Sequence, residues 1–224
     1  MAERPETVLH RENPDRDPLV GNIKVTREDW LNAARDILVS DGVGEVKILG
    51  LGNRLNVSRS SFYWYFENRH QLLDALLDDW EARNTRSIVD KCTRPSGSIT
   101  EAVCNFFRCF IDPALFDQGL DFAVREWSRR DATVRARIDD ADAARLDAVT
   151  AMFARHGYGP ADSDARARIL YYMQLGYHAL EVREDMETRL GRVEAYTKGF
   201  IGHEPDKRAI ADLAVFARQI DAMT

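Results

Sequence analysis

Between Thr26 and Trp80 apolar residues return every three or four positions in short runs separated by turn signals, the pattern of a small helical domain. Trp30, Ala33, Ala34, Ile37 and Leu38 form one stripe of a first helix. Thr26-Arg27-Glu28-Asp29 has the capping-box form that opens such a helix, and Asp41-Gly42 supplies a left-handed stop. A second, shorter helix is expected over residues 45–54, with Ile48, Leu51 and Leu55 on one face. Its Gly50 and Gly52 cost helix stability but suit a place where another helix comes close. Asn56, which tolerates positive φ, Val57 as a core plug and Ser58 as an N-cap then make a tight turn.

The third helix, from Ser58 or Arg59 to Phe66, holds Phe62, Tyr63, Trp64, Tyr65 and Phe66 in succession. At about 100° per residue Phe62 and Phe66 share one face, while Ser60, Ser61 and Trp64 lie opposite, flanked by Tyr63 and Tyr65. One side can enter a core; the other is left to meet something else. Asn68-x-x-Gln71 caps a fourth helix carrying Leu72, Leu73, Leu76, Leu77 and Trp80. Two short helices around a tight turn, braced by a longer first helix, constitute a helix-turn-helix.

Beyond residue 98 the pattern stays helical. Val103, Phe106, Phe107 and Phe110 mark one helix, ended by Asp112-Pro113. Gln118-Gly119 reads as a loop before a short helix over 122–128. Asp131 opens a long helix stopped at 156–160, and Asp162 or Ser163 starts the next, with Ile169, Tyr172, Met173, Gly176, Tyr177 and Leu180 on one face. After a break at 199–205 a last helix carries Ile210, Leu213, Ala214, Phe216, Ala217 and Ile220. Small residues such as Gly176, Ala214 and Ala217 suit two helices per subunit packing as a four-helix dimer interface.

The run from Val57 to Arg69, with its turn, its Tyr63-x-Tyr65-Phe66 and the capped basic position after it, closely resembles the helix-turn-helix of the tetracycline-repressor (TetR) family. The resemblance covers about residues 26–73. It departs from the usual pattern at Gly52, Asn56, Glu67 and Arg69, with Glu67 placing a negative charge beside the DNA-facing end. It implies an all-α protein, with a three-helix DNA-binding domain at 25–70 and a larger helical regulatory and dimerisation domain at 71–224; residues 1–24, with Pro5, Pro14 and Pro18 among charged residues and little apolar periodicity, are expected to be a flexible arm. It also implies a homodimer that binds a palindromic double-stranded operator and answers to a small-molecule ligand, more often as a repressor.

Within that reading Arg59 suits a guanine edge or a phosphate, and Ser58, Ser60, Ser61 and Trp64 face the bases or their surroundings. Tyr63 and Tyr65 suit phosphate oxygens, Tyr63 also by resemblance, and Thr26 and Arg69 would clamp the DNA backbone at helix ends. In the larger domain Phe106, Phe107, Phe110, Trp127, Met152, Tyr172, Met173 and Tyr177 are the candidates for an apolar ligand pocket.

Composition adds limits. The chain is 30% charged with net charge −6, and residues 25–70 are neutral, six acidic against six basic, so no long-range positive field backs the recognition segment. Three cysteines, Cys92, Cys104 and Cys109, without Cys-x-x-Cys spacing, read as free thiols. His178 and Glu181 have ligand-compatible spacing but no further partners for a metal, and no cofactor is expected. The nucleophile-elbow, zinc-protease and phosphate-loop motifs are missing, which removes any positive reason to expect an enzyme. With neither a membrane-length apolar run nor a signal-peptide core, a cytoplasmic protein is expected. A helical protein-interaction module, or less readily a helical small-molecule-binding enzyme, remains compatible with the residues alone.

Overall fold

A computed structural model describes residues 25–223; the arm read at 1–24 lies outside the described residues. Eleven α-helices and no strand occur among them: α1 Arg27–Asp41, α2 Ile48–Arg54, α3 Arg59–Phe62, α4 Arg69–Trp80, α5 Arg86–Thr93, α6 Ile99–Ile111, α7 Gln118–Ser128, α8 Ala132–Arg155, α9 Pro160–Ala179, α10 Met186–Ile201 and α11 Lys207–Asp221. The all-α fold read from the sequence is therefore the fold observed. No helix of the described residues is long and apolar enough to cross a membrane.

Local chemistry starts and stops the N-terminal helices where the sequence indicates. The Thr26 side chain accepts from the Asp29 amide at 3.2 Å while the Asp29 carboxylate accepts from the Thr26 amide at 2.7 Å, a complete capping box. Gly42 leaves α1 at φ 83°, a conformation open to glycine. Asn56 takes φ 54° in the turn, and Val57 donates to the Gly52 carbonyl at 2.9 Å. A Cβ at Gly52 would stand 3.2 Å from the Val57 carbonyl oxygen, so this glycine does permit a close approach; Gly50 faces open space and does not.

Four boundaries differ from the sequence reading. α2 begins at Ile48 rather than 45, because Val43–Glu45 is spent on a 3-10 turn. α3 is one turn long: Trp64 and Tyr65 bond back three residues, to Ser61 and Phe62, and tighten the chain before Phe66. Gln118-Gly119 opens α7 instead of forming a loop, since Asp117 caps it by accepting from Leu120. Pro160, taken as part of a stop, is the first residue of α9, where its missing N–H costs nothing. The sequence reading also names no separate helix between Leu180 and Gly199, where α10 forms with Asp185 as its cap.

Two main cores result. Trp30 meets Phe62 edge-on at 5.3 Å and Phe62 stacks on Phe66 at 5.4 Å, joining α1, α3 and the following turn. This core continues through Leu76 and Trp80 of α4 into Leu120 and Val124 of α7 and Ile138 of α8. The second core lies between α5, α6, α8, α9 and α10, around Phe106, Met152, Phe153, Leu170 and Tyr171. α11 packs on α6 through Leu213 against Cys104.

Where the cores adjoin, charged groups are buried together. Asp121 accepts from Trp80 at 2.8 Å, from Arg145 at 3.1 Å and from Arg125 at 2.9 Å. Arg145, with no exposed side chain, also donates to Thr85 at 3.0 Å and Tyr171 at 3.2 Å. Arg125 grips Asp142 with both terminal nitrogens, and Tyr171 donates to Asp142 at 2.6 Å. Burial opposes ionisation of Asp121, but Arg145 and Arg125 beside it outweigh that and hold its carboxyl below the usual range. Arg145→Ala should therefore cost about 3–5 kcal/mol, because it strands a buried carboxylate. Urea unfolding checks this, and Arg145→Ala combined with Asp121→Asn should lose less than the two single losses added.

Candidate nucleic-acid interface and regulatory cleft

The turn at Asn56 sets α3 across the outer edge of the domain. Phe62 and Phe66 anchor it from below, fully buried, which turns the other side of the segment outward. Trp64 is 85% exposed and Tyr63 48%, the latter with its ring edge-on to Phe62 at 5.4 Å, so the segment presents an indole and a phenol outward. Ser58, Arg59 and Ser60 are exposed beside them, and Ser61 is half-buried. These six residues form one continuous outward surface.

The polar groups on it are held but accessible. Arg59 donates to the Tyr63 hydroxyl at 2.9 Å and lies over its ring at 5.8 Å, an arrangement that orients the guanidinium along the helix. Ser58 and Ser60 hydroxyls are 2.7 Å apart, and Ser61 donates to the Ser58 carbonyl at 2.8 Å. Ser58 occupies the N-cap position without making a side-chain cap bond, so the amide groups at the start of α3 are not covered by it. Thr26 is exposed, with its hydroxyl engaged by Asp29 at 2.7 Å.

Two expected DNA contacts have other partners. The Tyr65 hydroxyl donates to the Val25 carbonyl at 2.8 Å and its ring packs on the core, which turns it inward instead of toward a phosphate. Arg69 donates to the carbonyls of Val46, at 2.6 Å, and Val43, so it fastens the 3-10 turn to α4 and is not a free clamp. Both depend on long-range partners that local spacing does not reveal. Most other cations of the domain are paired, Arg35 with Asp79 at 2.6 Å, Lys47 with Glu45 at 2.9 Å and Arg54 with Asp36 at 2.7 Å.

In the larger domain a cleft opens between α6, α9, α10 and α11. Phe107, Phe110, Met173 and Tyr177 line it, as the sequence suggested. The other four pocket candidates do not. Phe106 and Met152 are fully buried in the second core; Trp127 packs on the first core and donates to Asp131 at 3.2 Å; Tyr172 is 49% exposed on the outer side of α9. Met186, Arg189, Leu190 and Val193, all on α10, complete the walls. Asp185 followed by Met186, Leu190 and Val193 at helical spacing is the signal by which they could have been found.

The inner part of the cleft holds only about 60 Å³ of free volume, so a drug-sized occupant would have to displace side chains. It widens toward α7 past His178, Gln118 and Phe122, and toward α11 past Phe116 and Ile220. Gln174 donates to His178 Nε2 at 2.8 Å, which makes this the acceptor nitrogen of a neutral ring. The ring leans on Phe110 at 5.4 Å and Phe116 at 5.7 Å. Burial pushes His178 down to about 4, with the Arg189 charge adding to the effect and Asp121 opposing it. Burial likewise pushes the Cys104 and Cys109 thiols up to about 12 and Cys92 upward, leaving three inert side chains. No group of three or more His, Cys, Asp or Glu is placed to hold a metal ion among the described residues.

This outward short helix in a three-helix unit, with a cleft in a separate helical layer, defines a helix-turn-helix domain joined to a larger helical one. Residues 31–76 match the family described as bacterial regulatory proteins, tetR family. Residues 31–76 thus carry the N-terminal helix-turn-helix domain of that family of regulatory proteins. The whole fold resembles AmtR of Mycobacterium smegmatis, at 18% identity over 94% of this chain and 98% of that one, with a TM-score of 0.56. It also resembles GusR of Salmonella enterica, at 15% identity over 93% and 98%, with a TM-score of 0.53. At such identities the likeness is one of fold. No curated protein sequence matches the chain.

A neutral buried histidine carries a pH signature. The folded value near 4 lies below the ordinary 6.5, so the unfolded chain binds the proton more tightly. The contribution of His178 is fully present above about pH 6.5 and is lost as pH falls toward 4. Relative to His178→Asn, the wild-type protein should lose about 2–3 kcal/mol across that window, read from urea unfolding at fixed pH steps.

Proposed function

We propose that the chain is a ligand-responsive homodimeric repressor acting on a palindromic double-stranded operator in the cytoplasm. The observation that carries the DNA-reading part is the surface of α3 and the following turn, where Trp64 is 85% exposed beside Ser60 and Arg59. An exposed indole and phenol set among exposed polar groups make a surface suited to a partner. In a major groove Arg59 takes a guanine edge or a phosphate, Ser60 and Ser61 hydrogen-bond base edges or phosphates, and Trp64 covers a thymine methyl. Tyr63 offers its hydroxyl to the DNA backbone, and Thr26 and Ser58 border the same surface. Residues 25–70 thus form the reading domain and 71–224 the regulatory one.

Support for a second copy comes from the outer side of α9. Ile169, Tyr172 and Leu180 are 59%, 49% and 78% exposed, and a Cβ at Gly176 between them would meet open space. A helix apolar on two sides buries the second against another molecule. Ala217, expected in such an interface, is instead fully buried within the subunit. Two reading domains related by a two-fold axis would place their α3 segments about 34 Å apart, one turn of DNA. A small molecule in the cleft would weaken binding by favouring a subunit arrangement that misfits this spacing.

Fluorescence anisotropy of the duplex upstream of the chain's own gene tests this across salt concentration. The affinity should fall steeply, with a logarithmic slope of about −0.9 per phosphate neutralised. Tyr63→Phe should weaken binding by about 1 kcal/mol on every sequence, whereas Arg59→Ala should cost about 1–3 kcal/mol and also relax base preference. A salt-independent interaction, or binding unchanged in both variants, would favour a protein-interaction role for this surface.

A further inference from the structure

Every part of the cleft meets one residue, Arg189. It lines the inner apolar part, the part widening toward α7 and the part widening toward α11. It sits in the first turns of α10, half-buried, with its guanidinium 5.8 Å over the Tyr177 ring. No hydrogen bond or ion pair occupies this guanidinium among the described residues. Its neighbours differ: Arg192 is paired with Glu184 and Arg218 with Glu187, the latter at 2.7 Å. The Tyr177 hydroxyl donates to Glu184 as well, so Glu184 already has two partners.

The other charges around the cleft divide in the same way. Glu181 lies 3.4 Å from Arg183, and Asp117 caps α7 with Arg83 4.0 Å away. Asp221, on the α11 side, is the one carboxylate lining the cleft without such a partner among the described residues. His178 contributes no charge, being neutral and bonded to Gln174. The walls near Arg189 are Phe107, Phe110, Met173 and Leu190. The Arg189 charge is felt by Glu184, but a guanidinium with no hydrogen-bonded partner beside an apolar cavity is matched by an anion carried on an apolar body.

We infer that the regulatory ligand is a small amphipathic carboxylate, its acid group held by Arg189 and its aromatic or aliphatic part lying against Phe107, Phe110 and Met173. This rests on the reading of the cleft as a regulatory site and supplies its ligand class. Arg189 can hold both carboxylate oxygens at once, a geometry that a single amine or amide does not return. The Tyr177 ring lies beneath the guanidinium and supports it from its face.

Isothermal titration of the full chain, without DNA, tests the inference with sodium phenylacetate and sodium octanoate against phenylacetamide, octanamide and 2-phenylethylamine. At least one carboxylate should bind, about tenfold or more tighter than its own amide and than the amine. Arg189→Gln should erase that preference, and Arg189→Lys should keep part of it; circular dichroism and thermal unfolding verify that both variants fold. Amide or amine binding as tightly as the carboxylates would overturn the proposal, the amine result pointing to Asp221 as the anchor. Binding of neither carboxylate at millimolar concentration, or unchanged carboxylate binding in folded Arg189→Gln, would overturn it too. Because DNA is absent from the titration, these failures leave the DNA-reading surface untouched. Equally, loss of operator binding by the protein would leave a measured carboxylate preference intact.

Discussion

The buried pair of Asp121 and Arg145 holds the architecture together at its most demanding point. Two charges removed from water need hydrogen bonds to replace those they lose, and Trp80, Thr85, Arg125 and Tyr171 supply most of them, although one terminal nitrogen of Arg145 is buried without a partner among the described residues; Asp142 ties Arg125 and Tyr171 together. Those residues come from α4, the π-helical turn Glu81–Thr85 after it, α7, α8 and α9. The π turn is the helical irregularity that brings Thr85 to Arg145 and lets Asn84 exchange two bonds with Asp117 at the start of α7. Since α4 also carries Leu72 and Leu76 into the core beneath α3, its anchoring fixes the reading surface relative to the larger domain.

The same neighbourhood touches the cleft. Phe116 lies 5.8 Å beneath the Arg145 guanidinium and 4.7 Å from Phe110, and it lines the cleft on the α11 side. His178 packs on both rings. An occupant that displaces Phe110 therefore works within one side chain of the group that positions α4. Packed interiors transmit such displacement because they have few voids to absorb it. A cleft of about 60 Å³ in its inner part means that a ligand of ordinary size must displace something.

Much of the N-terminal domain could be read from local rules, because local chemistry builds it. Thr26 and Asp29 cap α1 through a three-residue spacing, and Asn56 adopts the positive φ that its residue type allows. The split between buried Phe62 and Phe66 and exposed Trp64 followed from helical geometry, even though α3 itself is only one turn long. Tyr65 and Arg69 escaped the same rules because their partners, Val25 and Val46, are distant in sequence. In the larger domain α9 is apolar on two sides, and periodicity cannot say which is inner: Leu170 and Tyr171 are buried while Ile169 and Tyr172 are exposed. Asp121 and Arg145 resemble surface charges in any sequence pattern, and only the fold shows them buried.

A neutral reading domain makes the account depend on contacts rather than on a general attraction to polyanions. Residues 25–70 carry equal numbers of acidic and basic side chains, and Arg35, Lys47 and Arg54 are already paired. In the proposed reading, recognition rests on the shape and hydrogen bonding of Arg59, Ser60, Tyr63 and Trp64, which favours sequence-specific over indiscriminate binding. Selection of bound duplexes from a randomised pool, followed by hydroxyl-radical footprinting, measures that directly. The account predicts an enriched palindrome protected on one face at two segments about one helical turn apart. A pool with no enriched sequence, or enrichment that persists unchanged when Ser60 and Trp64 are both replaced by alanine, would contradict it.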